Sequence, residues 1–333
     1  TPKHVQAFVK TALKIGRNAK YKHNEVANLI CEAIACRKTV SRTAHDNNIY
    51  HTTLCRKMVK TSVEKIGYSL MKASRRLARS GYSTIDYTHL KYTGKTLQNQ
   101  TFGKKGFKTL VAKVGNIVVF VSLYRQIRGE KEEREMIENA LKASRGCIVI
   151  ANGEFSCKKW LSKIIKAYEG GFIAGFIVRA NPSWYKWLNA EMPLKTPVVV
   201  SVEGCKLYAW RIEVKQDNVK NAYYISSMNV DVKEYVHRWS IEVLFRSGKS
   251  LMPKTCLRSV VARLFFFTIC LIASIMLHSG FSLEAWRSCF IVYLFAGWFD
   301  WLLAFLILSV YYYLLFMLYI LFSSFYFHVL FRF

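Results

Sequence analysis

Four side chains suited to phosphate chemistry stand at helical spacing near the middle of the chain: Tyr235, Arg238, Glu242 and Lys249. A helix turns about 100° per residue, so these four fall within roughly 60° of arc. Trp239, Ile241, Leu244 and Phe245 fill much of the remaining circumference. The spacing therefore predicts one buried helix over 235–249 with a polar stripe facing a site. In that stripe Glu242 can ligate a divalent cation, and Arg238 and Lys249 can hold phosphate oxygens. The same spacing also suits an ordinary amphipathic helix carrying an i,i+4 ion pair between Arg238 and Glu242.

Other elements have to position such a stripe. Tyr82-Ser-Thr-Ile-Asp86-Tyr-Thr-His follows Gly81 and reads as a short strand that delivers an acid; a strand-end or turn-capping Asp is the plainer alternative. Residues 109–115 and 116–123 read as neighbouring strands joined by a Gly-Asn turn, 130–144 as a helix, and Cys147–Ala151 as a short buried strand. That strand runs into Ala151-Asn152-Gly153-Glu154-Phe155-Ser156. Four more strands are expected over 171–180, 197–202, 206–214 and 222–227, then a closing apolar helix over 258–277. Between them, Trp184 and Trp187 flank Lys186 on a Pro-containing loop. Aromatics beside a cation can stack on an unpaired base, and they serve equally as core or hairpin residues.

The net charge of +28, from 49 Lys+Arg against 21 Asp+Glu, implies a polyanionic partner, nucleic acid or an anionic membrane surface. Residues 1–81 carry 17 Lys and Arg against four acids. Asn24 is placed to cap a helix with Val26, Leu29, Ile30, Ala33 and Ile34 on its apolar face. A short helix over 39–49, an Asn-rich turn and a second helix over 50–60 then follow. This is a helix-turn-helix pattern, in which His51 and Thr52 would meet base edges while Arg56 and Lys57 reach phosphate. A small three-helix bundle with a solvated basic face remains the alternative. Lys72, Arg75, Arg76 and Arg79 read as a basic linker. The nine Cys include no C-x-x-C pair and read as reduced thiols in a cytosolic setting, with no zinc site. Residues 289–331 are almost wholly apolar, and Trp301–Phe322 alone is 22 residues, enough to cross a bilayer. That tail is either a membrane anchor or, the favoured reading, a translated extension.

Tyr-x2-Arg-x3-Glu-x6-Lys, in the context Arg238-Trp-Ser-Ile-Glu242-Val-Leu-Phe, resembles the signature of the insertion-sequence transposase superfamily with a catalytic Asp-Asp-Glu triad. The resemblance covers about residues 25–277. It implies an α/β fold with a ribonuclease-H-like core over 81–160 and 231–280, interrupted by a β-rich insertion over 161–230. An all-α helix-turn-helix domain and linker over 1–80 would precede the core, and the apolar tail over 281–333 would follow it. It also implies a catalytic set of Asp86, the residue at 152 and Glu242 holding Mg2+ (or Mn2+). Tyr235, Arg238, Lys249, Trp184 and Trp187 would contact double-stranded DNA, and a homodimer would pair the transposon ends. The family has Asp where this chain has Asn152, so the expectation is a transposase that cuts poorly or not at all. Asn152 fits an introduced change, a decayed copy or a repurposed DNA-binding protein. A regulator of transposition without chemistry and a basic membrane protein are the rival readings. The transposase and regulator readings place the protein in the cytoplasm at the nucleoid, and the tail leaves membrane association open.

Overall fold

The computed structural model describes residues 2–278, apart from 17–18, 37, 75, 79–80, 92–105, 125–128, 217–218 and 254–258. The apolar tail therefore lies outside the described residues, and no helix among the described residues is long and apolar enough to cross a membrane.

Five helices open the chain: α1 (Pro2–Ala12), α2 (His23–Ala35), α3 (Val40–Asp46), α4 (His51–Val59) and α5 (Val63–Ser74). The start of α2 differs from expectation. Lys22, and not Asn24, is the cap residue, and its backbone N–H donates to the Glu25 carboxylate at 2.7 Å. An acid in the first turn thus accepts the N–H of the residue before the helix and complements the helix dipole. Helix α3 begins as the sequence indicates, with the Thr39 hydroxyl accepting from the Arg42 N–H at 3.1 Å. It ends where Asn48 takes a left-handed φ of 53°, a conformation Asn tolerates better than most residues. Lys72, read as linker, belongs to α5, whose apolar side packs on the sheet.

The sheet is built from β1 (Tyr82–Lys91), β2 (Gly106–Val114), β3 (Ile117–Leu123), β4 (Ile148–Ala151), β5 (Gly175–Ala180), β6 (Val198–Val202), β7 (Cys205–Gln216) and β8 (Val219–Ser226). All eight join one mixed sheet in the order β3-β2-β1-β4-β5-β8-β7-β6. Strand β1 runs parallel to β4, and β4 to β5, while the remaining neighbours are antiparallel. The strands expected after residue 160 thus continue the same sheet. The first of them, β5, sits against β4 at its centre.

Side chains alternate across the sheet. Ile85, Leu110, Val149, Ala151 and Val178 are buried in one core with residues of α6 (Gly129–Ala143) and α7 (Lys158–Glu169). On the opposite face lie α5, α8 (Trp239–Ser250) and α9 (Val260–His278). The expected closing helix is present as α9, and it touches α1 and α4 as well as the sheet. Phe265, Phe266 and Phe267 are fully buried, and Phe265 stacks on Phe8 of α1 with ring centroids 5.3 Å apart. Helix α8 approaches α9 closely at Gly248, where a Cβ would lie 2.7 Å from a Leu271 methyl.

Candidate active site

Strand register brings the two expected acid positions together. Ile85 pairs with Ala151 across the parallel β1–β4 ladder, and both side chains enter the core beneath α6 and α7. The next residue on each strand must then face the other way. Asp86 and Asn152 therefore stand side by side on the α8 face, where the Asn152 amide donates to Asp86 Oδ1. The Asn152 carbonyl oxygen accepts the Glu154 backbone N–H at 3.0 Å, which starts the short 3-10 turn Gly153–Ser156. An amide suits both partners, because one end must accept and the other donate. Glu154, two residues along, turns away and pairs with Lys108.

The signature segment is two elements where one was expected. Val232–Arg238 is a 3-10 helix, capped by Asp231 accepting from the Lys233 N–H at 2.9 Å, and α8 starts at Trp239. Residues i and i+3 eclipse in a 3-10 helix, so Tyr235 and Arg238 still share a side. Trp239, expected inside, is 56% exposed, because it lies about 120–160° around α8 from Ile241, Leu244 and Phe245. Ile241, Leu244 and Phe245 are buried as expected.

Arg238 joins the parts. Its Nη2 lies 3.0 Å from Asp86 Oδ2 and 2.7 Å from Glu242 Oε1. Asp86 is 2% exposed. Burial pushes its carboxyl from 3.8 up to about 6, while the Arg238 guanidinium and the Tyr87 N–H pull it down. Desolvation therefore outweighs an ion pair at contact distance. Tyr235 packs edge-on against Tyr224 with centroids 4.7 Å apart, and burial raises its phenol. The Tyr235 hydroxyl and the Arg238 Nε are buried with no hydrogen-bond partner among the described residues. Lys249 is an exposed residue near the end of α8. Seven residues past Glu242, it stands about 10 Å farther along the helix axis.

A cleft of about 610 Å³ opens beside these groups, lined by Asn152, Arg179, Asn181, Trp184, Asn221 and Arg238 among others. Of the two tryptophans singled out, Trp184 lines this cleft and is 39% exposed. Trp187 instead lies against Tyr185, with centroids 5.1 Å apart, and packs on the core. Two basic residues escaped the reading of the sequence. Arg179 lies on β5 and reaches the cleft. Lys113 on β2 is 5% exposed and donates to Ser240 Oγ at 2.7 Å, and burial lowers its ammonium to about 8. Each is a lone charge inside an apolar run, Gly-Phe-Ile-Val-Arg-Ala and Thr-Leu-Val-Ala-Lys-Val. That is the signal that could have found them.

At α4 the arrangement is looser. Thr52 and Arg56 are exposed, and His51 and Lys57 half-buried, while Leu54 and Met58 hold the helix to its neighbours. Tyr21 fixes its start, its hydroxyl accepting the Tyr50 N–H at 3.2 Å.

No protein-family model matches this sequence, and no curated protein matches it. The chemical reading rests on the residues themselves.

Proposed function

We propose that this chain is a DNA transposase of the Asp-Asp-Glu lineage, impaired in strand cleavage by Asn152. The observation that carries the proposal is the meeting of Asp86 on β1 and Asn152 just past β4 with Arg238 of the facing 3-10 helix and Glu242 of α8. The order β1, β2, β3, α6, β4 agrees with a ribonuclease-H-like core, and β6–β8 with the family's β-rich insertion. Helices α3 and α4 and the turn between them agree with a helix-turn-helix.

Two carboxylate oxygens within reach of one guanidinium nitrogen fit a single divalent cation once Arg238 swings aside. A second ion is poorly served, because Asn152 brings a neutral amide where a shared carboxylate would offset charge. When bound, Mg2+ or Mn2+ would lower the pKa of water and polarise the phosphodiester. The remaining roles belong to the chain. The Arg238 Nε and the Tyr235 hydroxyl, buried without partners among the described residues, are donors suited to phosphate oxygens beside the scissile bond. Trp184 and Arg179 line the path of the strand. His51 and Thr52 would meet base edges and Arg56 and Lys57 phosphates, in double-stranded DNA held by a homodimer.

One feature favours the rival reading of a DNA-binding regulator without chemistry. The cluster satisfies itself, with Arg238 in the place of a cation and the Asn152 amide donating to Asp86. Cleavage of DNA carrying the sequences that flank the gene, with Mg2+ or Mn2+, decides between the two. Asn152→Asp should gain metal-dependent nicking, and adding Glu242→Gln should abolish it. Tight binding without cutting in every form would overturn the enzyme reading and leave the regulator.

A further inference from the structure

We propose that His51 and Cys55 form a binding site for a soft divalent cation of the Zn2+ or Cd2+ class at the start of α4. Residues four apart share a helix face, and the Cys55 Sγ lies 3.2 Å from the His51 Nε2. With metal–sulfur and metal–nitrogen distances of about 2.3 and 2.05 Å, a tetrahedral angle places these two atoms about 3.6 Å apart. On the same distances, the observed separation corresponds to an angle of about 95°, which a small side-chain rotation opens. Both side chains are part-exposed, so the cation arrives without unfolding and water completes its shell. The thiol gives up its proton to solvent as the metal–sulfur bond forms, the neutral imidazole binds through Nε2, and no electron is transferred. The spacing of cysteines alone hides this site. A His-x3-Cys pair needs no C-x-x-C motif, because the helix supplies the geometry.

Occupancy withdraws His51 from base-edge contact. That consequence rests on the DNA-binding reading above, whereas the metal site does not. The test titrates Cd2+ into the full chain without DNA and follows thiolate-to-Cd2+ charge-transfer absorption, with Zn2+ added afterwards as competitor. The expected result is a Zn2+-displaceable band that Cys55→Ser removes. His51→Gln should weaken the affinity by about tenfold or more. Cys36→Ser, which removes an exposed thiol elsewhere, should leave it unchanged. A band that survives Cys55→Ser, or an affinity indifferent to His51→Gln, overturns the site. In a second measurement, Zn2+ should weaken DNA binding by the wild type and not by Cys55→Ser. Equal DNA binding with the metal demonstrably bound would refute the consequence for DNA and leave the site standing.

Discussion

Charge is held in opposite ways at the two basic regions of this molecule. Beside the middle of β1 and the end of β4, Arg238 is locked between two carboxylates, one of them almost fully buried. On α4, Arg56 projects into solvent and Lys57 is only half-buried. A buried charge is stable only in a particular geometry, so its partners define a site. An exposed charge fits many partners and defines only an attraction. The difference teaches where chemistry can be read from structure and where only affinity can.

Three measurements break or sharpen this contrast. The largest effect belongs to Arg238→Met, which leaves Asp86 and Glu242 without their cation. Removing one partner of a buried pair should cost about 3 kcal/mol in denaturant unfolding. A loss as small as that of an exposed residue would erase the distinction. Next comes pH. Asp86 titrates higher in the folded chain than its ordinary 3.8, at about 6. The folded state therefore binds the extra proton, and the stability this group contributes is present below about pH 4 and lost as pH rises through about 6. Asp86→Asn removes that loss, so its stability relative to wild type should improve between pH 4 and pH 7. An unchanged difference would mean that Asp86 is not held as described. The smallest effect on folding belongs to Arg56→Ala, expected within about 0.5 kcal/mol of wild type. Its effect should appear instead in DNA binding, with the salt dependence of affinity falling by about one unit of slope.

The strand ladder and the signature helix were legible because both follow short-range rules. The run from Tyr82 after Gly81 and the Gly-Asn turn at 115–116 specify local structure directly, and Ile241, Leu244 and Phe245 lie where helical spacing puts them. What failed was set by packing between distant segments. Trp239 is the exception: it lies about 120–160° around α8 from Ile241, Leu244 and Phe245, so helical spacing itself turns it outward while those three face the core. Trp184 and Trp187 are three residues apart in the same loop, and only the fold sends one to the cleft and the other to the core. Lys113 and Arg179 were passed over because a charge within an apolar run reads as an interruption until its neighbours are known.

Helix α9 carries a consequence for how the protein could measure DNA. Its three consecutive phenylalanines are sealed between the first helices and the sheet, with Phe265 against Phe8. A hinge at this seam would wet that aromatic layer, so α4 and Asp86 are braced at a constant separation. On the proposed function, a duplex held by α4 would reach the cleft beside Asp86 at one set number of base pairs, as by a ruler. Cutting the chain near residue 80 would expose the layer on both fragments and destroy the ruler together with the fold of each half.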